Sequence, residues 1–151
     1  MSVEVLQAER DIARLVHNYG AAVDQRDFAG IAACYWEDAW EDHSPDYSGP
    51  VGGYVEWLRQ IMPPGPVLTH QFGNVRVDVA DEGGVAGVDS YCFAAATFPS
   101  AGDEPTGWMH SGLRYVDEVR CRQGEWRFQR RSCRLLWRIE NGVAQAIRPT
   151  D

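Results

Sequence analysis

The chain has 151 residues, 14 basic against 22 acidic, with a formal net charge of -8 and a pI near 4.9. That length suits one domain with a sizeable core. The acidic balance excludes a phosphate-tracking surface, which needs clustered positive charge, so nucleic acid is not an expected partner. Every basic residue is Arg, which removes lysine Schiff-base and amine-base chemistry. The run Arg127, Arg130, Arg131, Arg134 and Arg138 is interleaved with Phe128, Cys133, Leu135 and Trp137, as in a strand whose charges meet acids elsewhere. The N-terminus lacks a signal-peptide pattern and no apolar run approaches membrane-spanning length, so the expectation is a cytoplasmic protein with no membrane partner. Cys34, Cys92, Cys121 and Cys133 lie far apart among apolar neighbours, and structural thiols are expected rather than disulfides or a zinc site.

From residue 4 to about 23, apolar residues at Val5, Ile12, Leu15, Val16, Tyr19, Ala22 and Val23 mark an amphipathic helix. Asp27 is placed to cap a second helix, Phe28 to about Tyr35. Trp36 to Ser44 reads as an irregular strand or turn, and Pro45 to Pro50 as loop. Val51 to Met62 is a third helix, stopped by Pro63-Pro-Gly-Pro66. Long strands follow: Val67 to about Val79, Gly84 to Phe98, Thr106 to Cys121 and Glu125 to Ile139. They are separated by Asp81-Glu-Gly-Gly84, Pro99-Ser-Ala-Gly102 and Arg122-Gln-Gly124.

Three helices followed by a meander point to an α+β fold with a curled sheet around a cavity. Curling needs bulges, and two changes of phase mark them. Apolar positions go from Trp126 and Phe128 to Cys133, Leu135 and Trp137 in the last strand, and from His70 and Phe72 to Val75, Val77 and Val79 in the first. Met109, Val119, Trp126 and Phe128 are assigned to the outer sheet face, where they would support assembly of copies.

There is no phosphate loop, serine elbow or paired metal-ligand spacing, so neither cofactor nor metal is expected. The acid/base candidates are the histidines, His17, His43, His70 and His110, and the carboxylates. His17 reads as a solvated helix residue. His70 shares its strand face with Leu68 and Phe72, which points it into the curl. It is then either a base facing a cavity or a core histidine bonded to backbone. Asp24 falls away from the helix face formed by Ile12, Leu15, Tyr19 and Val23, so periodicity alone sends it to solvent unless the helix ends there.

Four segments taken together carry a family resemblance: Ile12-x-x-Leu15-x-x-x-Tyr19-x-x-x-x-Asp24-x-x-Asp27, Tyr35-Trp-Glu-Asp-Ala39, Thr69-His-Gln-Phe-Gly-Asn74 and Gly124-Glu-Trp-Arg-Phe128-x-x-Arg131. Over nearly the whole chain it resembles the SnoaL-like branch of the nuclear-transport-factor-2-like superfamily, which includes scytalone dehydratase and hexachlorocyclohexane dehydrochlorinase. The resemblance implies a cystatin-like cone, with three N-terminal helices on a strongly curved, mostly antiparallel mixed sheet that encloses a pocket. It also implies that Asp24 orients His70 as a base in an elimination and that Arg131 assists a leaving group. His43 falls where scytalone dehydratase has a tyrosine that holds a water or carbonyl. The strand through Ser111, Leu113 and Tyr115 resembles a pocket-lining strand, with His110 on its other face.

The expected function is a cofactor-independent lyase or isomerase acting on a small, mostly apolar organic substrate. His70 and Asp24 would be the base, and Tyr19, His43 or Arg131 would polarise the acceptor. Leu68, Tyr91, Phe93, Ser111, Leu113, Tyr115 and Leu135 would form the walls. The alternatives are a polyketide-cyclase-like or ketosteroid-isomerase-like enzyme, or a binding or oligomerisation module without chemistry. A homodimer or homotrimer is expected.

Overall fold

The computed structural model describes residues 2–62, 64, 66–80, 84–97, 107–141 and 143–146. The expected turns at residues 81–83 and 99–102, the strand ends at Phe98 and Thr106, and Pro63 and Gly65 of the helix stop lie outside the described residues.

Helix α1 (Val3–Gln25) starts at Ser2, whose hydroxyl accepts the Val5 amide, and ends at Arg26 in the left-handed conformation. Ile12 and Val16 on its inner face have no exposed surface, and each such burial contributes about 1.5–3 kcal/mol. Asp27 caps α2 (Phe28–Ala33) by accepting the Gly30 amide at 2.9 Å. This helix is shorter than expected because Tyr35 already pairs with Phe128 in strand β1 (Tyr35–His43). The segment expected as loop contains a short strand, β2 (Tyr47–Pro50), which pairs antiparallel with β1. Helix α3 (Val51–Ile61) follows directly and buries Val51, Tyr54, Val55 and Leu58.

The meander is β3 (Leu68–Val79), β4 (Val85–Thr97), β5 (Trp108–Arg122) and β6 (Glu125–Glu140), with β7 (Val143–Ala146) added on β6. The seven-stranded sheet has the order β2-β1-β6-β5-β4-β3, and β7 also pairs with β6. Among the described residues only the β1–β6 ladder is parallel. The architecture is the α+β cystatin-like cone: helices laid on a strongly curved, open, mixed sheet.

The bulges set which residues face inward. On β3 the register slips between Gly73 and Arg76, with Asn74 at positive φ. On β6 an extra residue at Gln129 moves the inward set from Phe128 to Arg131 and Cys133, as the phase change implied. A second extra residue, Leu136, was not foreseen. It returns the inward set to even positions, so Trp137 turns outward and Arg138 inward. The Trp137 indole lies over Gly112 of β5, where any Cβ would collide with it.

The assignment of Val119 and Phe128 to the outer face is corrected, since both are fully buried in the core. Val119 shares the odd-numbered inner face of β5 with Ser111 and Tyr115. Phe128 precedes the bulge, on the face that meets α1. Trp126 packs against the same core, and Met109 lines the cavity. On β4 and β5 the large apolar residues that lie exposed are Val85, Tyr91, Phe93, Trp108 and Val116.

Candidate active site

The site begins with one row of α1. Ile12, Val16, Gly20 and Asp24 recur every four residues and therefore share a stripe of the helix. Strand β3 crosses this stripe at Gly20, where an added Cβ would come within 3.0 Å of the Phe72 ring and 3.4 Å of the His70 carbonyl. The missing side chain lets the strand approach, and one turn later the row ends in Asp24. Its Oδ1 lies 2.7 Å from His70 Nδ1, and its Oδ2 accepts the His70 backbone N–H at 3.1 Å. The carboxylate thus grips ring and backbone together. A proton on Nδ1 satisfies Oδ1, which leaves Nε2 as the free lone pair of the neutral ring. His70 keeps 16% of its side chain exposed and lines a cavity of about 450 Å³. Periodicity sent Asp24 to solvent; the edge strand laid along this row brings it to His70 instead.

The cavity wall is mostly apolar. Leu68, Leu113 and Tyr115 line it with Ser111, and so do Tyr19, His43 and Met109. Leu135 is not among the lining residues. Tyr91 and Phe93 are corrected: both are 44% exposed on the outer sheet face, because β4 turns its even positions inward. Ala94 and Ala96 form that wall instead. His110 lies against Phe93 on the outer side, with ring centroids 5.6 Å apart.

Arg131 is also corrected. Its guanidinium is 1% exposed and pairs with buried Asp117 at 3.3 Å, and it is absent from the cavity wall. Its Cζ sits 4.0 Å from the Tyr19 ring centre, 4.3 Å from that of Tyr115 and 4.2 Å from that of Phe128. The rings enclose the cation and screen it from the cavity, so it holds the core rather than a leaving group. Burial pushes the Asp117 carboxyl up to about 7 against the pull of Arg131.

At the other side of the cavity, His43 Nδ1 lies 2.6 Å from Glu41 Oε1, and Tyr35 donates to Glu41 Oε2 at 2.7 Å. Burial opposes charging of His43, but hydrogen bonding and charge interaction with the Cys133 sulfur and the Glu41 carboxylate outweigh it and raise the imidazole to about 10. The shift favours the cationic form of the imidazole. Cys133, expected as a purely structural thiol, also lines the cavity. Tyr19 and Tyr54 share a hydrogen bond of 2.6 Å between their hydroxyls. Burial raises both phenols well above their ordinary range, so they stay protonated donors. Sequence reasoning missed Tyr54, whose position among the buried residues of α3 was its only signal. No cluster of three metal-ligating side chains occurs among the described residues, and none of their helices is long and apolar enough to cross a membrane.

Fold and site define a class: a small α+β cone with a carboxylate-gripped histidine on the wall of its cavity. Residues 4–132 match the SnoaL-like domain, and the chain belongs to that family. An uncharacterized protein of Mycobacterium tuberculosis is 33% identical over 135 residues, 87% of each chain. A proposed scytalone dehydratase from Novosphingobium aromaticivorans superposes with a TM-score of 0.81 at 23% identity, over 99% of this chain and 97% of that one. A hexachlorocyclohexane dehydrochlorinase, LinA type 2, does so with a TM-score of 0.77 at 17% identity, over 96% and 97%. The likeness to the two solved structures shows a shared fold over nearly the whole chain.

Proposed function

We propose that this protein is a cofactor-independent lyase or isomerase in which His70, held by Asp24, removes a proton from carbon in a small, mostly apolar organic substrate. The observation that carries the reading is the two-point grip of Asp24 on His70 at the wall of an apolar cavity. The grip presets the tautomer with its lone pair on Nε2, and the carboxylate stabilises the imidazolium that forms. Charge developing on a substrate oxygen would be met by the His43 cation or by the Tyr19–Tyr54 hydroxyl pair. Expulsion of a β-substituent would then complete an elimination, and return of the proton to another carbon an isomerisation. We further propose that copies of the chain assemble through the outer face carrying Tyr91, Phe93 and Trp108.

The test is proton exchange at carbon, which needs no knowledge of the natural substrate. Deuterium uptake at the α-carbon of 2-tetralone in D2O is followed by NMR with the parent protein and with His70→Ala. The parent should accelerate uptake and the variant should fall to the buffer rate. Equal rates would remove His70 as the base.

A further inference from the structure

Two buried polar atoms on the cavity wall have no hydrogen-bond partner among the described residues. Ser111 is 4% exposed, and its Oγ is buried without a hydrogen bond among the described residues. Arg138 has its Nε buried and equally unpartnered. The two residues face each other across the β5–β6 ladder and both line the cavity. Side chains directly opposed on one sheet face have Cβ atoms about 4.5–5.5 Å apart, so the two side chains leave neighbouring points of one cavity wall. Arg138 is on this face only because of the extra residue at Leu136 and the seat that Gly112 provides for Trp137. Native proteins rarely leave such donors unmatched, and a matched pair at a cavity wall is a ready place for a ligand acceptor.

From this we infer that Ser111 and Arg138 form the anchor for a substrate carboxylate, so that the substrate is an organic acid with an apolar, ring-sized body. The identity of the bound group rests on charge and shape. Arg138 approaches Glu140 through Nη1 at 3.7 Å, which leaves the Nε edge of the guanidinium. That edge presents two parallel N–H groups at the spacing of the two carboxylate oxygens. One guanidinium and one hydroxyl match a single negative charge, whereas a phosphate group would require more donors. The neighbouring charges at the mouth do not take over this role. Arg26 donates to the Pro66 carbonyl, and Asp46 repels an anion from its own side. The inference rests on the cavity being a substrate site, and it adds the acid group that the base chemistry leaves open.

Binding of 2-naphthoate and its neutral counterpart 2-naphthamide, measured by calorimetry at pH 7, tests the anchor. A charge-assisted pair predicts that the parent prefers the carboxylate by about 10- to 100-fold. Arg138→Gln should bring the ratio near one, Arg138→Lys should restore part of it, and Ser111→Ala should weaken naphthoate by about 3- to 10-fold. The preference should persist in His43→Gln. Comparable affinity of the two probes for the parent, or binding of neither, would overturn the inference. So would a preference that survives Arg138→Gln, or one lost only in His43→Gln, which would move the anchor to that cation. His70→Ala separates this from the base reading: it should abolish deuterium uptake into 2-tetralone while keeping the naphthoate preference.

Discussion

Replacing Asp24 by Asn tests the grip on His70 with almost no change in volume. The carboxylate accepts twice, from the His70 ring at 2.7 Å and from the His70 backbone at 3.1 Å. An amide has one acceptor oxygen and one donor nitrogen, so it can satisfy only one of these contacts in its original sense. With its oxygen toward the backbone N–H, its NH2 faces Nδ1, and the ring proton must move to Nε2, where it blocks the base. With its oxygen toward the ring, NH2 meets the backbone N–H, and two opposed donors leave that N–H unsatisfied at a cost of roughly 1–3 kcal/mol. The first arrangement is therefore favoured by roughly 10- to 100-fold. The formal charge that stabilises the imidazolium is also gone, so proton abstraction should fall by about 10²- to 10⁴-fold in total, the usual range for a general base. Histidine-ring nitrogen NMR reports the tautomer, and deuterium uptake reports the rate. A variant that shows Nε2–H and still exchanges 2-tetralone at the parent rate would refute the reasoning.

Arg131→Met should destabilise the fold by about 3–5 kcal/mol in urea unfolding, because it leaves Asp117 buried without its partner; a loss below 1 kcal/mol would contradict the buried-pair reading. His43 charges more readily folded than unfolded, since its imidazole is raised to about 10. Its contribution to stability is present in full below about pH 6.5 and is lost as pH rises towards 10. His43→Gln should accordingly flatten the decline in melting temperature over that interval, and an unchanged slope would sink the assignment. Phe93, 44% exposed on the outer face, should become a disruptor of assembly when changed to Glu. Sedimentation of the parent as a dimer or trimer and of the variant as a monomer is expected; a monomeric parent at micromolar concentration would reject assembly through this face.

Local pattern was enough for the elements. The repeat of apolar residues along α1, the Asp27 cap and the alternation of β3 to β6 all state their backbone preference within a few residues, and the ordered motifs place them in a cone. His70 was legible as inward-facing for the same reason, since strand parity holds between bulges. Failures occurred where parity was reset or where packing chose among faces. Leu136 is one apolar residue in a run of several, so nothing local announced that it would be the extra one. That choice depended on Trp137 finding Gly112 on a strand more than twenty positions away in the chain, and it alone turned Arg138 inward. Arg131 read as a site residue by its place in a motif, yet the rings of Tyr19, Tyr115 and Phe128, drawn from separate elements, enclose it. Asp24 shows both sides of this division. The sequence held the row Ile12, Val16, Gly20 and Asp24, including the glycine that admits a neighbouring backbone. Only tertiary structure decided that β3 would fill that gap, because a helix stripe faces solvent or partner according to what is laid against it.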